Sequence, residues 1–251
     1  MSEPPAPERS TVLALDALGK DYGATVALGA LTCNVHAGEI VGLLGPNGSG
    51  KTATMKLLMG MLRPTRGSAR FLEFDCTHDS RRVKERLGFT PDEPAFYDFL
   101  TGRETLTFAL SVRGASIEPS WERLMPLVVR LEFVEFLDVA VGGYSHGTKK
   151  KLALLLALAH DPKLLLLDEP TNGLDPPTAA RVRALLRDFA QQGGAVLIST
   201  HLLSMAEHLC DRVLILHHGS LLAEGTPAEV MLRADAGSGA SLEDAFLKLV
   251  G

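Results

Sequence analysis

Hydrophobic and polar positions along this chain change period several times, and each change marks an element. Thr11–Leu15 and Leu31–Val35 alternate as half-buried strands, and Ile40–Leu44 is an unbroken apolar run. Between Lys51 and Met61 the apolar residues Met55, Leu58 and Met59, with Leu62 beyond, fall at helical spacing. Strand, glycine-rich turn and helix therefore follow in order. Arg63-Pro-Thr-Arg-Gly67 predicts a turn and Ser68–Phe74 a strand. From Pro94 to about Val141 the pattern is loosely helical, with Trp121 and several Phe; together with the helix after it, this predicts a helical insert over residues 94–160. Leu164–Asp168 and Ala195–Ser199 are short apolar strands of the buried parallel kind, with the helix Pro177–Gln191 between them. Arg212–Leu216 and Leu221–Ala223 predict a hairpin. Thr226-Pro-Ala-Glu229 reads as a capping box with proline at the first helical position. A glycine- and serine-bearing joint at residues 236–240 precedes a last amphipathic helix, Leu242–Leu249. No internal repeat is visible.

Composition narrows the class. The 251 residues are 46% hydrophobic, ordinary for a soluble globular chain that buries a core. The formal charge of −5 gives no basic face for nucleic acid, so none is expected as a partner. Cys33, Cys76 and Cys210 stand far apart without CxxC spacing, which argues against zinc or a disulfide framework and fits a reducing cytoplasm. The first eight residues lack the basic-then-apolar layout of a signal peptide, and residues 1–10 are expected as a disordered lead. The greasiest region, Leu152–Leu167, is broken by His160-Asp-Pro-Lys163, well short of the roughly 20 apolar residues of a spanning helix.

Three segments carry chemistry. Gly45-Pro-Asn47-Gly48-Ser49-Gly50-Lys51-Thr52 matches GxxxxGK[ST]. Its glycines let backbone N–H groups converge on phosphate, and the helix opening at Lys51 adds its positive end. Lys51 is placed to reach the β- and γ-phosphates, the Thr52 hydroxyl to hold Mg²⁺, and Thr54 joins the nucleotide contacts from the first helical turn. Leu164–Glu169 is an apolar strand ending in two carboxylates, at the sheet edge where open parallel sheets place ligands. Asp168 there suits Mg²⁺, and Glu169 suits a base that polarises attacking water. Ile198-Ser-Thr-His201 ends the next strand at the same edge, which makes His201 a γ-phosphate contact. His208, His217 and His218 read as surface or packing residues. Lys149-Lys-Lys151 reads as a solvated helix face.

Taken together, these segments resemble the nucleotide-binding subunit of an ATP-binding-cassette (ABC) transporter, from about Val12 to the C-terminus. Gly45–Thr52 is similar to Walker A, Leu164–Glu169 to Walker B, Gly173-Leu-Asp175 to the D-loop, and His201 to the switch histidine. Tyr22 matches the aromatic residue that stacks on adenine. Tyr144-Ser-His-Gly-Thr148 stands where the family has LSGGQ, followed by a helix expected over Lys149–His160. Ser145 and the Gly147 backbone would then meet the γ-phosphate of a second subunit, since a helix N-terminus is an anion site. Two positions depart from the pattern. His146 replaces the first signature glycine, and the Q-loop glutamine is replaced by Asp92, or by Glu93 one residue on. A carboxylate at Asp92 keeps a ligand for Mg²⁺.

The resemblance implies an α/β fold: a P-loop NTPase core with a mostly parallel sheet, an N-terminal antiparallel β-subdomain and the inserted helical subdomain. One ABC ATPase domain would span residues 11–235, followed by the joint and C-terminal helix of residues 236–251. ATP and Mg²⁺ would be its ligands. A second nucleotide-binding subunit and a membrane permease would be its partners, the permease docking near Asp92 and the helical insert and holding the chain at the cytoplasmic membrane face. Both departures and the C-terminal Ser241–Leu249 are similar to ATPase subunits serving ABC-2-type exporters. Two rival readings remain at this point: a soluble cassette ATPase acting on the ribosome or in DNA repair, and a regulatory cassette with weak turnover.

Overall fold

The computed structural model describes residues 9–234 and 240–250. Of the lead expected over residues 1–10 and the joint expected at 236–240, residues 1–8 and 236–239 lie outside the described residues. The central sheet explains itself from its side chains. Successive residues of a strand point to opposite faces, so an apolar run without alternation requires cover on both. In β3 (Ile40–Leu44), Ile40 and Leu44 enter one core while Val41 and Leu43 enter another; in β7 (Leu164–Asp168), Leu165 and Leu167 divide in the same way from Leu164 and Leu166. β8 (Ala195–Thr200) and β9 (Arg212–His217) repeat the pattern. With β6 (Leu87–Thr90) and β10 (Ser220–Gly225) the order is β10-β9-β3-β8-β7-β6, parallel throughout except for the antiparallel edge strand β10.

That order decides where chemistry can stand. Leu44 lies opposite Thr200, Asp168 opposite Ser199 and Thr90 opposite Leu167, so four consecutive strands finish together at one carboxyl edge.

One face is covered by α1 (Lys51–Leu58) and a second sheet of order β2-β1-β4-β5, antiparallel throughout. β1 (Thr11–Tyr22) and β2 (Thr25–His36) meet at a two-residue turn in which Gly23 takes φ +59°. Both run further than their alternation predicts, because a bulge interrupts it: the register shifts between Leu15 and Leu18, and Ala17 N–H donates to Thr32 Oγ1 at 2.9 Å. The expected single strand Ser68–Phe74 is two, β4 (Arg66–Phe71) and β5 (Phe74–Asp75), folded back at Leu72 (φ +53°) so that Phe71 faces Phe74. α2 (Ser80–Arg86) then leads into β6.

The other face carries α3 (Gly102–Val112), α4 (Ile117–Arg130), α5 (His146–Leu158) and α6 (Pro176–Gln191). Thr101 and Glu104 close a capping box on α3, while Leu106, Leu110, Leu124, Val128 and Phe133 share the apolar core of the sheet above them. α7 (Leu203–Leu209), α8 (Pro227–Arg233) and α9 (Leu242–Val250) close the chain, with α8 opened by the Thr226–Glu229 capping box. Leu242 N–H donates to Glu207 Oε2 at 2.9 Å, tying α9 to α7. Among the described residues, no helix is long and apolar enough to cross a membrane.

Arg212 fastens the two sheets: its guanidinium donates to Glu39 Oε1 at 2.9 Å, to Glu224 and to the Asn34 carbonyl. The three cysteines are unpaired and buried, and burial pushes each thiol up to about 12. His160, at the end of α5, bonds the Leu87 carbonyl through Nε2 at 3.1 Å. Burial, then the Arg113 charge, lowers its pKa to about 4.

A histidine that resists protonation when folded but accepts a proton near pH 6.5 when unfolded makes the unfolded chain the better proton binder in that window. Its contribution is intact above pH 6.5 and is lost as pH falls toward 4. A His160→Leu variant should therefore lose roughly 1–3 kcal/mol less between pH 7 and pH 4.5 than the parent chain, measured by urea unfolding.

Candidate nucleotide-binding site

The loop between β3 and α1 needs glycine for reasons visible in its surroundings. Gly45 has φ +151°, and a Cβ there would sit 2.2 Å from the Leu216 carbonyl oxygen; at Gly50 (φ +110°) it would meet Ala27 O at 2.7 Å. Gly48 (φ +78°) faces open space. Lys51 Nζ donates to the carbonyls of Gly45 (2.6 Å) and Pro46 (3.0 Å), so its ammonium is held over the loop. Burial lowers its pKa, against the opposing pull of Glu169 and Asp168.

A cavity of about 400 Å³ opens beside this loop. It collects Asn47, Gly48, Gly50, Lys51 and Thr52 from the loop and helix, Asp92 after β6, Asp168 and Glu169 at the end of β7, and His201 after β8. Ala27, Ala53 and Asn172, which no motif marks as ligand contacts, complete the lining.

Glu169 is the most constrained group there. Its backbone is left-handed, φ +46°, unusual for a residue with a side chain. The carboxylate is buried and fully engaged: Oε2 accepts from Thr200 Oγ1 at 2.7 Å, and Oε1 from His201 N–H at 2.9 Å and His201 Nδ1 at 2.7 Å. Against an ionised carboxylate Nδ1 must carry the proton, which leaves Nε2 as the free nitrogen of that ring. Asp168 accepts from the Ser199 hydroxyl; burial raises its pKa against that bond, and the neighbouring Glu169 and Asp92 charges add to the rise. Thr200 and Ser199 escaped sequence reasoning, although hydroxyls at the end of an apolar strand beside an acidic strand end are the available signal.

Other residues singled out from the sequence stand elsewhere. Thr54 is buried and its hydroxyl donates to the Gly50 carbonyl at 3.0 Å; Ser49 is buried with its Oγ unpartnered. Gly45 does not line the cavity. Tyr22 is 53% exposed at the end of β1, with Lys20 Nζ 5.3 Å from its ring centre. Ser145 caps α5, accepting from Thr148 N–H at 3.1 Å, with Gly147 in the first turn. Asp175 caps α6 through Thr178 N–H at 2.8 Å, a bond that lowers its pKa. His146 is exposed, and its ring stands over Gly173. His208 bonds the Ser204 carbonyl, and the His217 and His218 rings contact each other 4.1 Å apart.

The lysine run corrects an expectation. α5 begins at His146 rather than Lys149, and this phase turns Lys150 inward to 6% exposure. Its ammonium donates to Asp92 Oδ1 at 2.9 Å and to the Glu169 carbonyl at 2.6 Å. Lys149 lies outward, 3.6 Å from Asp98.

The residues present fit a magnesium-bound triphosphate. Mg²⁺ takes hard oxygen donors and uses few from the protein when phosphates supply the rest; Thr52, Asp92 and Asp168 bring a hydroxyl and two carboxylates to one wall. The same lining brings glycine backbone at a helix start with one ammonium, which suits phosphate.

Comparison with known proteins agrees with this chemistry. The ABC transporter family model matches residues 28–172. YdbJ of Bacillus subtilis (strain 168), an uncharacterized ABC transporter ATP-binding protein, is 38% identical over 214 residues, 85% of this chain and 68% of its own. The bacitracin transport ATP-binding protein BcrA of Bacillus licheniformis is 36% identical over 216 residues, covering 86% of this chain and 70% of its own. A solved structure described as the ATP-binding subunit of an ABC transporter superposes with a TM-score of 0.89 at 31% identity, over 96% of this chain and 100% of that one. The chain belongs to the ABC transporter family as an ATP-binding subunit. Subunits of this family hydrolyse ATP, associate in pairs and work with membrane permeases.

Because Thr200 is wholly buried and satisfies Glu169 Oε2, Thr200→Val leaves that oxygen short of a donor. The variant should unfold about 1–3 kcal/mol more easily and hydrolyse ATP more slowly, as read by chemical denaturation and phosphate release.

Proposed function

We propose that this chain is the ATP-hydrolysing subunit of an ABC-2-type exporter, with Glu169 as the base that activates water. The observation behind this reading is that four neighbouring strand ends bring Lys51, Thr52, Asp92, Asp168, Glu169 and His201 to one cavity. Asn47, Gly48 and Gly50 would wrap the phosphates with main-chain N–H groups and Lys51 would bind the β- and γ-oxygens. Thr52, Asp168 and Asp92 would hold Mg²⁺, which when bound supplies neutralisation of charge developing on the phosphate oxygens. Glu169 would take the proton of a water set in line with the γ-phosphate, and His201, its ring oriented by Glu169 Oε1, would face the γ-phosphate through Nε2. Tyr22, exposed at a strand end, would stack on adenine.

Ser145, Gly147 and Asp175 lie off this cavity, at two helix starts. In the proposed cycle Ser145 and Gly147 engage the nucleotide of a second copy, with Asp175 at the same dimer surface. The export reading draws on relatives: BcrA is named for bacitracin transport, and a 36% identical protein of Streptomyces peucetius, DrrA, for daunorubicin and doxorubicin resistance. A groove of about 660 Å³ lined by Arg81, Lys84, Phe108 and Val112 supports docking of a permease helix, and the exposed Tyr97 ring lies beside both Phe108 and the exposed Phe99.

Lys51→Ala should abolish most nucleotide binding in calorimetry. Glu169→Gln should bind Mg-ATP about as tightly as the parent while its turnover falls roughly 10²–10⁴-fold; turnover at the parent rate would sink the assigned base. On gel filtration the Glu169→Gln chain should run as a dimer with Mg-ATP and as a monomer without it. A monomer in both conditions counts against the sandwich.

A further inference from the structure

Lys150 comes from a helix capped by the exposed Ser145, yet its ammonium lies buried where two other segments meet. Asp92 reaches it from the loop after β6 and the Glu169 carbonyl from the end of β7. A lysine this buried stands only when its charge is paired and its donors are used; here both partners belong to the hydrolytic site. Lys150 itself does not line the nucleotide cavity, so whatever it does passes through those two residues.

Each partner has a reason to need it. Glu169 holds a left-handed backbone that persists only where its surroundings fix it. The peptide is fixed from both sides, its N–H donating to Ser199 O at 2.8 Å and its carbonyl accepting from Lys150 at 2.6 Å. Asp92, half-exposed on the cavity wall, is a third carboxylate beside Asp168 and Glu169. Its Oδ1 accepts from Lys150. Like charges gathered in one cavity repel, and Lys150 is the cation paired with Asp92, at 2.9 Å.

We propose that Lys150 is a positioning residue for ATP hydrolysis: by clamping Asp92 to the main chain of Glu169 it fixes the water-activating carboxylate and orients the acid that stands at the Q-loop position. This rests on reading Glu169 as the base. The aspartate for glutamine at residue 92 and the lysine at residue 150 are then one paired feature rather than a lone departure.

The test uses the full chain with Lys150→Met, Asp92→Asn, the double variant, and Lys149→Met as control. Lys150→Met should lower kcat roughly ten- to hundredfold with KM for Mg-ATP within about threefold, since the loop around Lys51 is untouched. Lys149→Met should stay within about twofold on both. In the nucleotide-free chain the melting-temperature losses of the two single variants should sum to clearly more than the loss in the double variant, because the second removal relieves an unpaired charge. If Lys150→Met proves unfolded, Lys150→Ala, which also removes the donor to Asp92 and to the Glu169 carbonyl, is held to the same numbers. A folded Lys150 variant with parental kcat overturns the proposal, as do melting losses that simply add. If instead Glu169→Gln hydrolyses ATP normally while the melting losses remain non-additive, the base assignment fails and the clamp between residues 92 and 150 stands.

Discussion

A parallel sheet buried on both faces has almost nowhere to put a polar group except beyond its strand ends, and the architecture of this chain follows from that restriction. Leu164, Leu165, Leu166 and Leu167 are wholly buried because two cores claim alternate residues of one strand. The first position free of both is Asp168, and the same logic delivers Thr200 and His201 at the end of the neighbouring strand. Charge therefore gathers on one edge through packing, and the glycine loop after β3 faces it from the adjacent strand. Burying charge is costly unless hydrogen bonds answer it, which is why so many donors in the site are turned toward its carboxylates.

Those donors make the acidic edge stable enough to exist. Glu169 is met by a hydroxyl, a backbone N–H and an imidazole, Asp168 by a serine, Asp92 by a lysine. Ser199, Thr200 and Lys150 sit behind the acids, and each restricts a carboxylate to one orientation. Pre-set dipoles of this sort need not reorganise when charge moves, the condition under which electrostatic stabilisation is most effective. The left-handed Glu169 fits the same scheme, since a strained peptide held at both ends aims its side chain more narrowly than a relaxed one.

What could be read from the residues alone was whatever a backbone or a two-faced core dictates. Gly45 and Gly50 are required by contacts under 3 Å to other main-chain atoms, and such demands write themselves into a motif. The apolar strands and the Thr226–Glu229 cap were legible for the same reason. Bulges were not: Ala17 breaks the alternation of β1, and the turn at Leu72 uses a residue with no turn preference, its conformation imposed by the pairing of Phe71 with Phe74. Lys150 was missed because a run of three lysines gives no rotational phase. The phase was nonetheless available, since Ala153, Leu154 and Ala157 follow it at three, four and seven residues and are all buried. Lys150 heads an apolar stripe, where a charge calls for a partner.

The sequestered cysteines have a practical side. At neutral pH a thiol held near 12 is almost wholly protonated, and only the thiolate attacks electrophiles. With Cys33, Cys76 and Cys210 packed inside as well, maleimide or spin-label reagents meet a folded chain that is chemically blank. A single cysteine introduced beside Ser145 or Tyr97 would then carry the whole signal, and subunit approach could be followed by spectroscopy without first stripping the native sulfurs from the core.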